Sequence, residues 1–231
     1  MFIFQLCNCG APARREMARR TKEEALETRE QVLDAAEQVF LQRGVGHASL
    51  AEVADAAGVT RGAIYHHFAS KAELFEAMLA RAEMPLDAAF DTAQVPVADP
   101  LGAVRETALK ALLHLTSCAR VRTIFEVAFL RCEYTDELAP VEQRHLQERS
   151  HCLGFCGGLL DQAVARGQLP PDTDTRLASH LLYALIGGLM RDWVQAPASF
   201  DLKSAAPQLV DLFLAGLRAA PPRRSAPGAA P

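Results

Sequence analysis

The chain has 231 residues, half of them apolar, and a formal net charge of −4. That length allows one large domain or two of about 100–200 residues each, with a substantial core. The charge excludes a global positive field, so contact with nucleic acid has to rest on local features.

The six cysteines, Cys7, Cys9, Cys118, Cys132, Cys152 and Cys156, are scattered without a dense framework. That pattern suits a reducing cytosol better than a disulfide scaffold. The apolar stretch Met1 to Leu6 has no basic flank and is shorter than a signal core of about 7–15 residues. No run approaches the roughly 18 apolar residues that a membrane helix requires. The expected chain is soluble and cytoplasmic, with no membrane partner.

In chain order, residues 1–16 show no amphipathic period and read as a doubtful or disordered extension, with Met17 as an alternative start. Thr21-Lys22-Glu23-Glu24 has the form of a capping box and predicts a helix start. Val32, Leu33, Ala36, Val39 and Phe40 then share one face at helical spacing, and Gly44 is placed to end the helix left-handed. Ser49-Leu50-Ala51-Glu52 opens a short second helix that stops near Gly58, and Ser70-Lys71-Ala72-Glu73 opens another that runs toward Pro85. Longer helices are predicted over 101–117, 120–133, 137–167, 173–195 and 202–219, with breaks at Pro140, at the Gly167 to Pro171 turn and at Pro197. No segment alternates as a strand would, and the Pro- and Ala-rich tail from Pro221 reads as disordered.

The informative stretch is Ser49 to Lys71. Two short helices, Leu50–Ala57 and Arg61–Phe68, flank a turn at Gly58 in a helix-turn-helix layout. Such a unit lays its second helix in the major groove, N-terminal residues first. Thr60 is placed to cap that helix, whose free N–H groups favour a phosphate. Gly62 and Ala63 keep its leading end thin, while Arg61, Tyr65, His66 and His67 supply polar and aromatic contacts. Ile64 and Phe68, four apart, belong on the inward face. On spacing alone, an ordinary helical corner with polar residues fits as well.

The run Gly58-Val59-Thr60-Arg61-Gly62-Ala63-Ile64-Tyr65-His66-His67-Phe68, followed by Ser70-Lys71 and Leu74-Phe75, closely resembles the recognition segment of TetR-family repressors. Met17 to Ala25 is similar to the start of the AcrR/TtgR branch, the local repressors of multidrug efflux pumps. The likeness continues into Arg131-Cys132-Glu133-Tyr134, Gly167 to Pro170, and Gly188-Leu189 to Leu202. It implies an all-α protein of about nine helices: a helix-turn-helix DNA-binding domain over 17–84, a helical ligand-binding and dimerisation domain over 85–220, and a tail over 221–231.

The resemblance places Thr60, Gly62, Tyr65 and His67 at the DNA, together with Arg61, Ala63 and His66 on the same helix. Ser49 would cap the preceding helix and reach a phosphate, Lys71 would pair with a phosphate, and Arg19, Arg20 and Lys22 would form a basic arm. Phosphate contacts of this kind add salt dependence without sequence choice. Relatives commonly carry tryptophan where this chain has His66, which makes that contact smaller and titratable. The partners implied are palindromic double-stranded operator DNA, a second copy of the chain, and a small hydrophobic inducer such as a drug, dye or aromatic metabolite.

The last two long helices are implied to pair as a four-helix dimer interface. Leu181, Leu185, Gly188, Leu189 and Asp192, then Leu209, Leu212, Phe213 and Leu217, agree with that, although an ordinary core face would be equally apolar. A pocket enclosed by helices would be mostly apolar with a few polar groups. Its candidate residues are Met78, Leu113, Phe125, Phe129, Cys132, Phe155 and Ile186, with His114 and Glu126 as polar members, and each fits a plain core as well. Polar anchors of the AcrR/TtgR branch correspond here to Leu113, Phe125 and Gly187, which predicts a greasier pocket.

His151-Cys152 and Cys156 share a helical face, but a structural zinc site generally needs four ligands, and no second pair matches them. No metal or other cofactor is expected, and redox chemistry at the cysteines is left open. No nucleotide-loop glycine pattern, G-x-S-x-G or H-E-x-x-H occurs, so no catalytic residue is nominated. The competing readings are a regulator of the same type that acts without a ligand, or as an activator, and, less favoured, a small-molecule enzyme.

Overall fold

A computed structural model describes residues 12–82, 97–133 and 135–224, with the side chains of residues 12–21 outside that description. Among the described residues there are nine α-helices, a single 3-10 turn and one isolated β-bridge.

The first helix, α1 (Pro12–Arg43), runs through the predicted start at Thr21. A capping box works only where the chain upstream leaves helical geometry. Here Ala13, Arg14, Arg15, Glu16, Met17 and Ala18 are strong helix formers, and Pro12 suits a first helical position. The helix therefore also extends into the segment read as a doubtful extension. Its Val32, Leu33, Ala36 and Phe40 are buried, and Gly44 at φ 82° closes it.

Three short helices pack on α1: α2 (Leu50–Ala57), α3 (Arg61–His67) and α4 (Lys71–Ala80). Ser49 and Glu52 form a complete capping box at α2, and Gly58 at φ 68° ends it. Thr60 accepts from the Ala63 N–H to cap α3, and Ser70 accepts from that of Glu73 to cap α4. The α4 helix stops at Ala80, well before Pro85, which lies outside the described residues. Phe40 and Phe75 meet edge to face at 5.9 Å in the core of this unit.

The C-terminal helices are α5 (Pro100–Leu115), α6 (Ala119–Leu130), α7 (Ala139–Ala165), α8 (Thr175–Gln195) and α9 (Leu202–Ala219). Each of α5, α8 and α9 has an aspartate cap, from Asp99, Asp174 and Asp201 respectively. A 3-10 turn, Asp136–Leu138, leads into α7. Leu101, Leu112 and Leu115 of α5 pack with Leu159 and Leu160 of α7, Leu182 of α8 and Val210 of α9. Arg105 of α5 grips Asp211 of α9 through two nitrogens, at 2.5 and 3.0 Å.

The two cores touch. Ile124, Val127, Leu138 and Val141 are buried in the N-terminal core, and Phe125 packs against both. The helix-turn-helix unit is thus seated on α6 and the start of α7. Residues 221–224, expected to belong to a disordered tail, are instead paired: Thr173 bridges to Arg223, and Asp174 N–H donates to Pro222 O at 2.7 Å. Backbone pairing, which composition does not register, holds residues 221–224 in place. Among the described residues, no helix is long and apolar enough to cross a membrane.

Candidate nucleic-acid interface and ligand domain

The α3 helix separates its faces cleanly. Ile64 and the capping Phe68 are buried, while Thr60, Arg61, Gly62, Tyr65 and His66 are exposed, with Ala63 and His67 half-buried. Tyr65 retains 59% of its accessible surface, although an aromatic ring gains from burial. The buried pair anchors the helix so that its capped N-terminus and outer face are available. Arg29 of α1 lies over the Phe68 ring at 5.2 Å, fixing α3 from behind. His66 and His67 meet edge to face at 5.3 Å. Burial, His66 and Arg29 together hold the His67 imidazole below the usual histidine range.

Ser49 is exposed, but its hydroxyl is engaged. It accepts from the Glu52 N–H and donates to Oε2, while Arg43 pairs with Glu52 Oε1 at 2.7 Å. Lys22 is exposed on α1. Arg19 and Arg20 belong to the same helix, so the arm expected there is helical, and their side chains lie outside the described ones.

Lys71 departs from expectation. Its residue is only 6% exposed, and its ammonium donates to Gly46 O and Ala48 O, both at 3.1 Å. A carboxylate oxygen of Glu137 lies 2.9 Å away. An ammonium offers three donors, and these two carbonyls and the carboxylate engage them, so the side chain is not free for a phosphate. Spacing placed the residue correctly on α4, but periodicity does not report which carbonyls the preceding loop turns toward it.

The other joints between the two units were absent from the sequence reading. Val45 N–H donates to Arg131 O at 2.9 Å, tying the end of α1 to the end of α6. Arg120 of α6 reaches Asp34 of α1 at 2.9 Å, and Arg81, within the N-terminal unit itself, pairs with the same Asp34 and with the buried Glu37. His114 Nε2 lies 2.6 Å from Ala82 O, joining the end of α5 to the residues after α4. These are backbone groups and long side chains between distant segments, which leave no periodic signal.

The expected ligand residues divide into separate places. Leu113, Phe125, Phe129 and Ile186 are half-buried and pack against the C-terminal core, with Phe125 and Phe129 rings 5.4 Å apart. Phe155 is buried in that core. Met78 is fully buried in the N-terminal core, and Cys132 packs on its edge, its thiol pushed up by burial. Glu126 is half-buried on α6. A cavity of about 490 Å³ opens instead between α7 and α8, lined among others by Gly154, Gly157, Asp161, Thr175 and Ser179. None of the expected ligand residues lines it.

Exposed large apolar side chains gather on the last two helices: Leu177 and Leu181 on α8 and Leu212 on α9, the last at 70% exposure. Leu217, expected in the same stripe, is buried in the core instead, because it falls on the inward side of α9.

A family model described as bacterial regulatory proteins of the tetR family matches residues 32–78, and the MAATS-type transcriptional repressor C-terminal region matches 99–219. The chain is 41% identical over 209 residues to the HTH-type transcriptional regulator TtgR of Pseudomonas putida, covering 90% of this chain and all of that one. Among solved structures it is similar to NalD, described as the secondary repressor of the MexAB-OprM multidrug efflux pump in Pseudomonas aeruginosa. That likeness has a TM-score of 0.77 and 36% identity, over 84% of this chain and 97% of that one. It is also similar to SmeT of Stenotrophomonas maltophilia in complex with triclosan, with a TM-score of 0.71 and 28% identity over 82% of this chain and 91% of that one.

Proposed function

The chain belongs to the TetR family of bacterial regulatory proteins, and on that premise we propose that it is a cytoplasmic, homodimeric repressor of a multidrug efflux operon and of its own gene. It is a transcriptional regulator and not an enzyme. The observation that carries the reading is α3: a capped helix, anchored by Ile64 and Phe68, that turns Thr60, Arg61, Gly62, Tyr65 and His66 outward. Such a helix meets the major groove with its first turn at the base edges. Lys22 is exposed on α1, where it adds a phosphate contact.

Dimerisation is typical of the family, and Leu177, Leu181 and Leu212 supply the apolar face for it. Two copies related by a two-fold axis read a palindrome with half-sites about one helical turn apart, or multiples of that. The inducer is a small hydrophobic compound, in keeping with the triclosan bound by SmeT. It seats against the half-buried fringe of Leu113, Phe125, Phe129 and Ile186 on the C-terminal core. A ligand shifts the protein only as far as it prefers the conformation that fits DNA poorly. The joints at Val45–Arg131 and Lys71–Glu137 connect α6 and α7 to the helix-turn-helix and give that preference a route.

Fluorescence-anisotropy titration against the DNA upstream of its own gene, with a panel of hydrophobic antimicrobials, tests the reading. Tight, palindrome-dependent binding that a panel member releases is the expected result. Binding no tighter than to random DNA overturns local repression, and operator binding that no panel member weakens favours a ligand-independent regulator.

A further inference from the structure

The groove of about 490 Å³ between α7 and α8 holds none of the residues assigned so far to DNA or inducer, and its size falls within the range of about 300–1,000 Å³ usual for small-molecule sites. On α7 it follows Gly154, Gly157, Gly158 and Asp161, a stripe that helical period sets opposite the buried Leu159 and Ala163. On α8 it takes in Thr175 and Ser179, which fall on the side away from the exposed Leu177 and Leu181. Its floor thus lies apart from both the C-terminal core and the apolar face proposed for dimerisation.

The polar groups around the groove are only partly engaged. Thr175 Oγ1 donates to Asp161 Oδ1 at 2.7 Å, and Ser179 Oγ donates to Thr175 O at 2.7 Å, so both buried hydroxyls have given their protons and keep lone pairs. The second Asp161 oxygen has no partner among the described residues, and neither has the exposed Arg176 guanidinium. Two opposite charges therefore line one groove without pairing. Thr175 and Arg176 are also the first two residues of α8, where free N–H groups favour negative charge. His180 lines the groove as well. Arg149, which can only donate, lies 3.4 Å from His180 Nδ1 and over the Tyr183 ring at 5.5 Å, so Nδ1 accepts and the neutral imidazole carries its proton at Nε2. Donors thus come from Arg176 and His180, and acceptors from Asp161, Thr175 and Ser179.

The charges select the ligand. A simple anion drawn to Arg176 would face Asp161, and a simple cation drawn to Asp161 would face Arg176 and the start of α8. A molecule that carries both charges suits both groups. We propose that the groove binds a zwitterionic small molecule, its carboxylate on Arg176 and its ammonium on Asp161. A Cβ added at Gly154 or Gly158 would meet nothing within 4 Å, so the floor leaves room for the chain that joins the two charged ends. Leu153 is the sole large apolar side chain lining the groove, which suits a short aliphatic connection rather than an aromatic one. An exposed ion pair contributes little by itself, so affinity depends on engaging both ends at once. Binding here requires neither DNA nor inducer and stands apart from the operator reading.

Calorimetric titration of the full-length protein with glycine, 4-aminobutyrate and 6-aminohexanoate tests the site, with hexanoate and hexylammonium as singly charged controls. One member of the zwitterion series is expected to bind at least tenfold more tightly than either control, and its length reports the separation of the two charges. Arg176→Gln and Asp161→Asn should each weaken that binding at least tenfold. Both positions are exposed, and asparagine still accepts from Thr175, so the fold is kept; helical circular dichroism checks this. Arg166→Gln, which removes an exposed arginine at the end of α7 outside the groove, should leave binding unchanged. A series in which no zwitterion exceeds the controls, or binding undiminished in the folded Arg176→Gln and Asp161→Asn variants, overturns the proposal.

Discussion

The Lys71 ammonium lies 2.9 Å from the Glu137 carboxylate, joining the first turn of α4 to the 3-10 turn ahead of α7. Lys71 is buried while the Glu137 side chain is about half exposed, so the two ends of the contact differ in weight. Replacing Lys71 by Met strands the carbonyls of Gly46 and Ala48, which costs about 1–3 kcal/mol. Glu137→Gln costs less, because the lysine keeps its two carbonyls. Neither change should alter the slope of log affinity against log salt for operator DNA. Lys22→Ala should shallow that slope by about 0.9, the share of one phosphate contact. A shallower slope in Lys71→Met would return that residue to the DNA.

Glu37 is buried between Arg81 and Arg120, and burial raises its carboxyl above the usual range even though both arginines oppose the rise. A raised acid favours the protonated form in the folded state. Its contribution to stability is therefore full below the unfolded value and is lost as pH climbs through the folded one. Urea unfolding of the parent and Glu37→Gln proteins between pH 4 and pH 7 should show the parent losing ground to the variant as pH rises. A parent that gains ground instead would mean that the arginines outweigh burial.

His67 sits beside the exposed face of α3 with its imidazole held below the ordinary range by burial, His66 and Arg29. Phosphates favour the charged ring, so the complex binds protons more tightly than the free protein does. Operator affinity should strengthen as pH falls from 7.5 to 5.5, with a slope of log affinity against pH approaching about −1 for one proton taken up. His67→Gln should flatten that slope. A pH-independent affinity in the parent protein would remove the histidine from the interface.

Gly44 and Gly58 both have positive φ, at 82° and 68°. Alanine at Gly58 meets no atom within 4 Å, so its cost is the backbone strain alone, about 1–2 kcal/mol. Alanine at Gly44 adds a contact of 3.2 Å with Arg131 O, beside the Val45–Arg131 hydrogen bond. Gly44→Ala should therefore lower the melting temperature further, and it alone should change the inducer concentration needed to free the operator. Equal effects on release from both variants would argue against the Arg131 joint.

Leu181→Glu and Leu212→Glu place charge on exposed positions of α8 and α9, outside the core of a single chain. Each should keep full helicity by circular dichroism while shifting the protein to monomer in sedimentation. Operator binding should fall at least tenfold, since one half-site remains. A dimer that tolerates both charges would move the interface elsewhere.

Much of this was legible in the sequence, for identifiable reasons. Ser49, Thr60 and Ser70 act through neighbours three residues on, and Gly44 and Gly58 act through their own backbone, so local spacing was enough to find them. Ile64 and Phe68 followed from helical period. The start of α1 was misplaced because Thr21 satisfied a cap pattern while the residues before it favoured helix. Lys71 was found but misdirected, since its carbonyl partners lie 25 and 23 residues away. Among the ligand residues, Leu113, Phe125, Phe129 and Ile186 fell on one core, while Met78 and Cys132 belong to the other. Apolarity alone does not distinguish two cores that share α6.

The bridge between Thr173 and Arg223 has a practical corollary for handling the molecule. The α7 helix starts beside the Glu137–Lys71 joint and climbs through 27 residues, about 40 Å, before the turn that receives residues 221–224. Residues 221–224 therefore lie near the opposite end of α7 from the Glu137–Lys71 joint. An affinity handle added after Pro231 should anchor each protomer to a sensor surface with its recognition helix facing the bulk solution, ready for a flowing duplex.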